Sequence, residues 1–261
     1  GVPIMIKREL YMNRIRPFIG GELIKVMTGI RRSGKSVMLE LIKEELAEAG
    51  VAPSQMISIN FEDMRYSHLQ TATALHDEII KRAEGIEGKA YLFFDEIQEV
   101  EGWEKCVNSL RVALDCDIYI TGSNAKLLSG ELATYIGGRY VEFVIYPFSF
   151  AEFLELYHTI APSDSIQQCF QKYLLAGGMP YLANLRYEEE PSRQYLTDLF
   201  NSVQLKDIVK RNKIRDIDLL ERIIAYMTAN VGTVFSASSL AKFFKNEQRT
   251  VVAETILNYV R

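Results

Sequence analysis

An eight-residue glycine loop near the N-terminus constrains the fold of this chain more than any other feature. The loop has the form G-x-x-x-x-G-K-S and reads Gly29-Ile30-Arg31-Arg32-Ser33-Gly34-Lys35-Ser36. An apolar run over residues 23–28 precedes it, and an amphipathic pattern over 37–49, with apolar residues three and four apart, follows it. A strand, a loop of this spacing and a helix in that order predict a phosphate-binding loop, or P-loop.

Each part of the loop has a physical role in such a site. Gly29 and Gly34 allow backbone N–H groups to curl around phosphate oxygens, which the positive end of the next helix's dipole also faces. We expect Lys35 to place its charge on the outer phosphates and the Ser36 hydroxyl to coordinate Mg²⁺. The predicted nucleotide-binding residues of this segment are Gly29, Ile30, Arg31, Arg32, Ser33, Gly34, Lys35, Ser36 and Val37. The alternative is a glycine turn with a solvated lysine.

Strand and helix patterns alternate five times over about 125 residues. Apolar or alternating runs predict strands at 23–28, 55–61, 90–94, 117–121 and 140–146. Amphipathic periodicity predicts helices between them at 37–49, 74–83, 103–114 and 126–136. This order predicts repeated βαβ units, and therefore an α/β fold with a five-stranded parallel sheet flanked by helices.

Two acids follow the strand that ends Tyr91-Leu92-Phe93-Phe94. They are Asp95 and Glu96, and in a parallel sheet they lie at the carboxyl edge, where ligands bind. An apolar strand that ends in two acids has the form of a Walker B segment. We expect Asp95 to hold the hydration shell of Mg²⁺ and Glu96 to act as the general base toward water. Many strands end in acids, so this assignment depends on the P-loop earlier in the chain.

Beyond Pro147 the predicted elements are all helical. They lie at 151–157, 165–176 and 191–211, with a Gly177-Gly178-Met179-Pro180 turn, and then at 218–229, 236–244 and 250–260. We therefore divide the chain into an ATPase core (1–147), a helical lid (148–212) and a winged-helix-like domain (213–261). Three short helices resemble the core of a winged helix. The last pattern runs to Arg261, so we expect this third domain to be incomplete.

Composition excludes several classes of protein. Three cysteines, odd in number and never at C-x-x-C spacing, argue against a disulfide framework and a cysteine zinc site, and favour a reducing cytoplasm. No apolar run approaches the roughly 20 residues of a membrane helix. The net charge of −4 gives no overall attraction to nucleic acid, although it leaves room for a local basic face. The five basic and five acidic side chains in 216–261 give no positive footprint for DNA there.

Several motifs occur in one order with familiar gaps. They are T-G-I-R-R-S-G-K-S, F-D-E-I-Q-E-V-E-G-W-E, T-G-S-N-A-K-L-L-S, G-G-R-Y and Y-P-F-S-F-A-E-F. Together they resemble the prokaryotic AAA+ ATPases of the archaeal-ATPase and STAND-like branch, in which an AAA domain precedes a C-terminal domain of unknown function. The resemblance covers roughly residues 7–200.

The resemblance implies further site residues. Asn124 or Ser123 would be the sensor that contacts the γ-phosphate or its water, the alternative being a cap on the helix that follows. Arg139 would act in trans as an arginine finger in a homo-oligomer, the alternative being a structural arginine paired with a carboxylate. Met179 and Pro180, in the G-x-P turn of the lid, would touch the base of ATP or ADP.

These observations lead to one preferred function and two alternatives. We expect ATP hydrolysis with Mg²⁺ to move the lid and the winged helix, with a protein or DNA client bound through the C-terminal region. One alternative is a DNA-associated nucleotide switch with weak ATPase activity. The other is a P-loop kinase, although no acceptor site is visible. A GTPase is disfavoured because Asn124-Ala125-Lys126-Leu127 lacks the register and the aspartate of N-K-x-D.

Overall fold

The computed structural model describes residues 6–123, 127, 136–203, 208–209, 214–246 and 250–260. The chain divides into two compact units, Gly1–Gln194 and Tyr195–Arg261. The predicted boundaries after residues 147 and 212 both fall inside these units. The division into core, lid and winged-helix-like domain therefore stays a prediction.

The first unit contains a five-stranded parallel sheet, as predicted. Its strands are β1 (Ile24–Thr28), β2 (Met56–Asn60), β3 (Ala90–Asp95), β4 (Cys116–Gly122) and β5 (Tyr140–Val144). Their order is β2-β3-β4-β1-β5, and every neighbouring pair is parallel. Because each parallel connection must cross over the sheet, helices lie between β1 and β2, between β2 and β3, and between β3 and β4.

The helices of the chain can be numbered in order. In the first unit they are α1 (Glu9–Ile15), α2 (Lys35–Glu48), α3 (Ala72–Ala83), α4 (Trp103–Ala113), α5 (Phe150–Ile160) and α6 (Ile166–Ala176). Helix α7 (Glu189–Ser202) crosses the division between the units, and α8 (Ile217–Ala229), α9 (Ala237–Asn246) and α10 (Ala253–Val260) belong to the second. Short 3₁₀ helices occupy several of the connections.

Both faces of the sheet are covered, which explains why its strands are mostly apolar. Val26 of β1 packs into a core with α3 and α4, whereas its neighbour Met27 packs into a second core with α1 and α2. Both side chains are fully buried. Successive side chains of a strand point to opposite faces, so the two-sided burial follows directly from the sequence.

Strand direction decides where the predicted site residues lie. Gly29 follows the last residue of β1, Glu96 follows the last residue of β3, and Ser123 follows the last residue of β4. These three positions therefore share the carboxyl edge of the sheet. Arg139 precedes β5, and its carbonyl accepts a hydrogen bond from the N–H of Ile24, the first residue of β1. Arg139 thus lies at the opposite, amino edge.

The structure differs from the sequence predictions at a few elements. Helix α1 was not predicted, because it is short and its apolar residues show no extended period. Helix α2 begins at Lys35, two residues earlier than periodicity indicated, since Gly34 already caps it. The helix predicted at 191–211 is observed as Glu189–Ser202 within the described residues. The helix predicted at 126–136 lies outside the described residues, apart from Leu127 and Ile136.

The second unit contains three short helices near the predicted positions. Leu219, Ile223, Leu240, Phe244 and Ile256 form their common core. The likeness of this unit to a winged helix stays a prediction. Among the residues that the structure describes, no helix is both long enough and apolar enough to span a membrane.

Candidate nucleotide site

The P-loop has a backbone that only glycine can adopt at two positions. Gly29 has φ 145°, and a Cβ placed on it would lie 2.2 Å from the carbonyl oxygen of Ile145. Gly34, the residue that caps α2, has φ 105°. Any L side chain would be strained at either value, and at Gly29 it would also collide with backbone. The spacing of the two glycines therefore encodes this loop shape.

The side chain of Lys35 is folded back onto this loop. Although it carries a charge, the residue is only 4% exposed. Its Nζ donates hydrogen bonds to the carbonyl oxygens of Gly29, at 3.1 Å, and Ile30, at 2.8 Å. The ammonium is therefore held by neutral dipoles of its own loop, which phosphate oxygens could replace with stronger, charge-assisted bonds.

The predicted acids are held in place by a threonine on the neighbouring strand. The Thr121 hydroxyl donates to Oδ1 of Asp95 and accepts a hydrogen bond from the backbone N–H of Glu96, at 3.0 Å. Asp95 and Thr121 belong to the paired strands β3 and β4, so sheet register brings them together. Both Asp95 and Glu96 are buried. Thr121 thus holds both the Asp95 side chain and the Glu96 backbone in place.

The carboxylate of Glu96 is oriented by two further donors. Ser123 Oγ donates to its Oε2 at 2.8 Å, and Gln98 Nε2 donates to the same oxygen. No described residue donates to the second oxygen, Oε1, which is therefore available to a water molecule or substrate. The backbone of Glu96 is left-handed, with φ 54° and ψ 49°, which is costly for a residue with a side chain. Backbone strain of this kind often occurs at functional sites.

A cavity of about 500 Å³ brings the two motifs together. It is lined by Ile6, Arg8, Arg31, Arg32, Gly34, Lys35, Ser36, Val37, Glu62, Glu96, Phe148, Pro180, Tyr181 and Asn184. The lining includes four cationic side chains and two carboxylates. Burial and the charge of Glu96 raise the pKa of the Glu62 carboxyl, and Arg31 lies 3.8 Å from that carboxyl. The cationic excess suits a polyphosphate anion.

The other side of the cavity is apolar and includes the predicted lid turn. Gly178 lies so close to Phe148 that a Cβ on it would be 2.1 Å from the Phe148 carbonyl oxygen. The Phe148 N–H also donates to the Gly178 carbonyl at 2.7 Å. Pro180 therefore reaches the cavity wall beside the Phe148 ring. Met179 is buried and is not part of the lining.

The residues present fit a nucleotide with Mg²⁺. Ser33 Oγ is a buried atom of the P-loop without a hydrogen-bond partner among the described residues. Ser36 is the second residue of α2 and lines the cavity. Together with Asp95 it offers the oxygen donors that Mg²⁺ prefers. No group of three or more His, Cys, Asp or Glu side chains is placed to hold a metal within the described ranges. Mg²⁺ usually uses one or two protein oxygens plus phosphates and water.

The remaining predicted site residues are placed as follows. Arg31, Arg32 and Val37 line the cavity, whereas Gly29, Ile30 and Ser33 belong to the loop and are not part of the lining. Asn124 lies outside the described residues, so its role stays a prediction. The exposed side chain of Arg139 donates to Oδ1 of Asn108 on α4 at 3.0 Å. Arg139 is separated from the P-loop by the length of β1, about 13 Å at the usual rise per residue.

Sequence reasoning missed several residues of the site. Thr121 is seen only once β3 and β4 are known to pair. Gln98 lies two residues after Glu96, and its position beside the predicted acidic pair was the available signal. Arg8 precedes the P-loop by a long segment, and no sequence signal pointed to it. Glu62 follows β2, and Tyr181 and Asn184 follow the lid turn; their positions after predicted elements were the available signals.

Two family models match the chain. The model described as an AAA domain matches residues 22–154, and a domain of unknown function (DUF8612) matches residues 167–260. The first match contains the P-loop, the acidic pair and all five strands. The second contains the lid turn and the three C-terminal helices.

Two relatives of known sequence align with most of this chain. An uncharacterised protein of Haemophilus influenzae is 38% identical over 257 residues, which cover 98% of this chain and 64% of that protein. An uncharacterised protein of Methanocaldococcus jannaschii is 32% identical over 249 residues, covering 91% of this chain and 53% of that protein. The chain thus spans less than two thirds of the length of either relative.

A solved structure shows the same fold. The Walker-type ATPase of Pyrococcus abyssi aligns with a TM-score of 0.62 at 15% identity, covering 98% of this chain and 89% of the other. At this identity the likeness concerns the fold alone. The matched motifs and the sheet order agree with the sequence match over residues 22–154. This chain therefore belongs to the AAA-domain family of P-loop proteins, with a C-terminal domain of unknown function.

Proposed function

We propose that this protein binds ATP and hydrolyses it with Mg²⁺. The observation that carries the proposal is a single cavity whose wall contains Lys35 of the P-loop, Glu96 of the acidic pair and the apolar residues beside the lid turn. Lys35 suits a triphosphate, Glu96 suits the activation of water, and the apolar residues suit a purine base.

The residues divide the work of binding as follows. Lys35 exchanges the carbonyl oxygens of Gly29 and Ile30 for oxygens of the outer phosphates, while loop N–H groups bind the remaining phosphate oxygens. Ser36 and Asp95 would hold Mg²⁺, which supplies positive charge to the phosphates when it is bound. Pro180 and Phe148 offer flat apolar surfaces to the base.

Glu96 carries the chemistry of water activation. Hydrogen bonds from Ser123 and Gln98 fix its Oε2, and the residue lines the cavity. A carboxylate oxygen in that position can accept a proton from water as the water attacks the terminal phosphate. Ser123 then acts through Glu96, and Asn124 remains the proposed sensor.

Three finer proposals accompany hydrolysis. Contacts of Pro180 with the base link nucleotide state to the lid helices, and we propose that hydrolysis rearranges the lid and the C-terminal unit. Arg139 lies too far from its own P-loop to act there, so its proposed role as an arginine finger requires a second copy of the chain. A protein or DNA client would bind through the C-terminal region.

The decisive experiment is phosphate release from ATP with Mg²⁺ and with EDTA, beside calorimetric titration of ATP and GTP. We expect Mg²⁺-dependent turnover and tighter binding of ATP than of GTP. Lys35→Ala should abolish both activities, whereas Lys81→Ala, a change at an exposed lysine of α3, should leave them intact. Binding without turnover would indicate a nucleotide switch. Absence of binding to the intact protein would exclude the proposed function.

A further inference from the structure

Arg8 is a buried cation at the edge of the proposed nucleotide cavity. It is only 3% exposed and lines the cavity. Its backbone is left-handed, with φ 47° and ψ 48°, at the residue that precedes α1. A buried arginine in a costly backbone conformation persists only where its surroundings determine it strongly.

The guanidinium of Arg8 joins three segments of the chain. Nη1 donates to the Ser33 carbonyl of the P-loop at 3.0 Å, and Nη2 donates to the Tyr146 carbonyl beyond β5 at 2.8 Å. Nε donates to Oε2 of Glu152 on α5 at 2.6 Å, and Nη2 also reaches Oε1 of that residue at 3.3 Å. The same group lies over the Tyr11 ring, 4.6 Å from its centroid.

The bond to Ser33 fixes part of the phosphate-binding surface. In a trans peptide the C=O and the following N–H point in opposite directions. When Arg8 binds the Ser33 carbonyl, the N–H of Gly34 in the same peptide unit therefore points away from Arg8. Gly34 lies so near that a Cβ on it would be 3.0 Å from Arg8 Nη1. Arg8 thereby orients a loop N–H group through the Ser33 carbonyl.

The bond to Glu152 extends this arrangement to the start of α5. Oε1 of Glu152 accepts the N–H of Ser149 at 3.0 Å, and the Glu152 N–H donates to Ser149 Oγ at 3.3 Å, so the two residues form a capping box. Phe148, which precedes this box, also lies under the Arg8 guanidinium at 5.1 Å. One carboxylate therefore fixes both the helix start and the arginine.

We propose that Arg8 is a positioning residue for nucleotide binding, which holds the Ser33–Gly34 peptide against Glu152 in the geometry that binds phosphate. This inference rests on the proposed function. Lysine cannot replace arginine in the role, because one ammonium cannot supply the planar fork that reaches Ser33, Tyr146 and Glu152 together. An ion pair that served stability alone would not need to bind the loop carbonyl.

Two variants test the proposal with matched controls. Arg8→Lys retains the charge and removes the fork, while Glu152→Gln removes the charge and retains a side chain able to form the capping box. Arg16 pairs with Glu45 in the same N-terminal region but away from the cavity. Arg16→Lys and Glu45→Gln therefore control for the loss of an arginine ion pair as such.

The measurement is calorimetric affinity for ATP, ADP and adenosine, with the melting temperature recorded for each variant. Loss of hydrogen bonds to a charged group predicts about 10- to 100-fold weaker ATP and ADP binding for Arg8→Lys. Glu152→Gln should weaken both by at least about threefold, and the affinity for adenosine should change less in both variants. The Arg16 and Glu45 controls should bind as the wild type does.

Three outcomes overturn the proposal. One is unchanged ATP affinity in Arg8→Lys and Glu152→Gln while Lys35→Ala loses binding, which leaves the proposed function standing. Another is an equal loss for adenosine and ATP, which indicates general disruption of the cavity. A wild-type protein that binds no ATP removes both proposals. If Arg8→Lys fails to fold, Glu152→Gln decides alone, because its capping box is preserved.

Discussion

The two edges of the parallel sheet each carry a buried lysine and a buried aspartate, but the groups that contact them differ. At the amino edge, Lys25 of β1 forms an ion pair with Asp117 of β4, and neither side chain is exposed. The Tyr119 hydroxyl and the Gly20 N–H also donate to Asp117, at 2.6 and 2.7 Å. Charge at this edge is neutralised within the fold.

At the carboxyl edge the corresponding lysine and aspartate contact neutral groups of the fold. Lys35 binds the carbonyl oxygens of its own loop, and Asp95 accepts a hydrogen bond from Thr121. Lys35 also lines the cavity, next to Glu96, the residue that follows Asp95. A ligand can replace a neutral dipole far more readily than a buried counter-ion. The comparison teaches that contacts with neutral dipoles beside a cavity, more than the burial of the charges, distinguish the candidate site.

The electrostatics of the amino edge fit a structural role. Burial lowers the pKa of Lys25, although the charge of Asp117 opposes the change. Burial and the charge of Asp117 raise the pKa of the Tyr119 hydroxyl, which keeps it a hydrogen-bond donor. None of Lys25, Asp117 and Tyr119 lines the candidate nucleotide cavity.

Breaking the ion pair between Lys25 and Asp117 should have the largest effect on the stability of the fold. Lys25→Ala leaves Asp117 buried without its cation, and such a loss costs about 3–5 kcal/mol of unfolding free energy. Urea denaturation measures the change. A double variant, Lys25→Met with Asp117→Leu, should recover most of the stability, because neither charge then remains buried. Equal instability of the double variant would show that shape rather than charge dominates at this edge.

Removing Lys35 at the carboxyl edge should have the converse effect, a large loss of ATP affinity with a small loss of stability. Lys35→Ala should reduce ATP affinity at least about 100-fold, since a charge-assisted contact with the phosphates is lost. Its unfolding free energy should fall by only about 1–3 kcal/mol, the usual cost of losing hydrogen bonds to a charged group such as those to Gly29 and Ile30. Calorimetry and urea denaturation of the same preparation test both halves. A stability loss as large as that of Lys25→Ala would abolish the contrast between the edges.

Removing the proposed base should separate binding from hydrolysis. Glu96→Gln should slow ATP hydrolysis about 100-fold, as expected for loss of a general base. Its ATP affinity should stay within about threefold of the wild type, because the amide conserves the shape of the side chain. Single-turnover phosphate release and calorimetry provide the two numbers. A wild-type rate would exclude Glu96 as the base.

Loosening the orientation of Glu96 should have the smallest effect. Gln98→Ala removes one donor from Oε2, while Ser123 remains, and loss of one such hydrogen bond predicts a rate about three- to tenfold lower. Gln55→Ala is a suitable control, because Gln55 makes its hydrogen bonds away from the cavity, to Ala52 and Lys89. Single-turnover rates at saturating ATP measure the change. A loss equal to that of Glu96→Gln would assign Gln98 a more direct role.

The sequence predicted the parts of the site whose geometry is local. Gly29, Gly34 and Lys35 could be assigned because loop shape depends on residues a few positions apart. The pair of Asp95 and Glu96 could be assigned because an apolar strand determines where they lie. The parallel sheet followed from the alternation of elements, and the family matches and the sheet order confirmed it.

Contacts between distant residues were not predictable. Arg8 meets Ser33, Tyr146 and Glu152, which are 25, 138 and 144 positions away, and no short pattern encodes such pairs. Thr121 reaches Asp95 only because β3 and β4 are neighbours. Polar side chains that act through others carry no spacing of their own, so tertiary structure is needed to find them.

The left-handed backbone of Glu96 has a consequence for how this protein can evolve. Glycine would occupy the same φ and ψ without the steric cost, which is about 1 kcal/mol for other residues. A glycine there would relieve the strain and remove the carboxylate in one step. Selection for thermal stability alone would therefore favour glycine over glutamate at this position. Thermostable variants that retain the glutamate must gain the lost stability elsewhere in the chain.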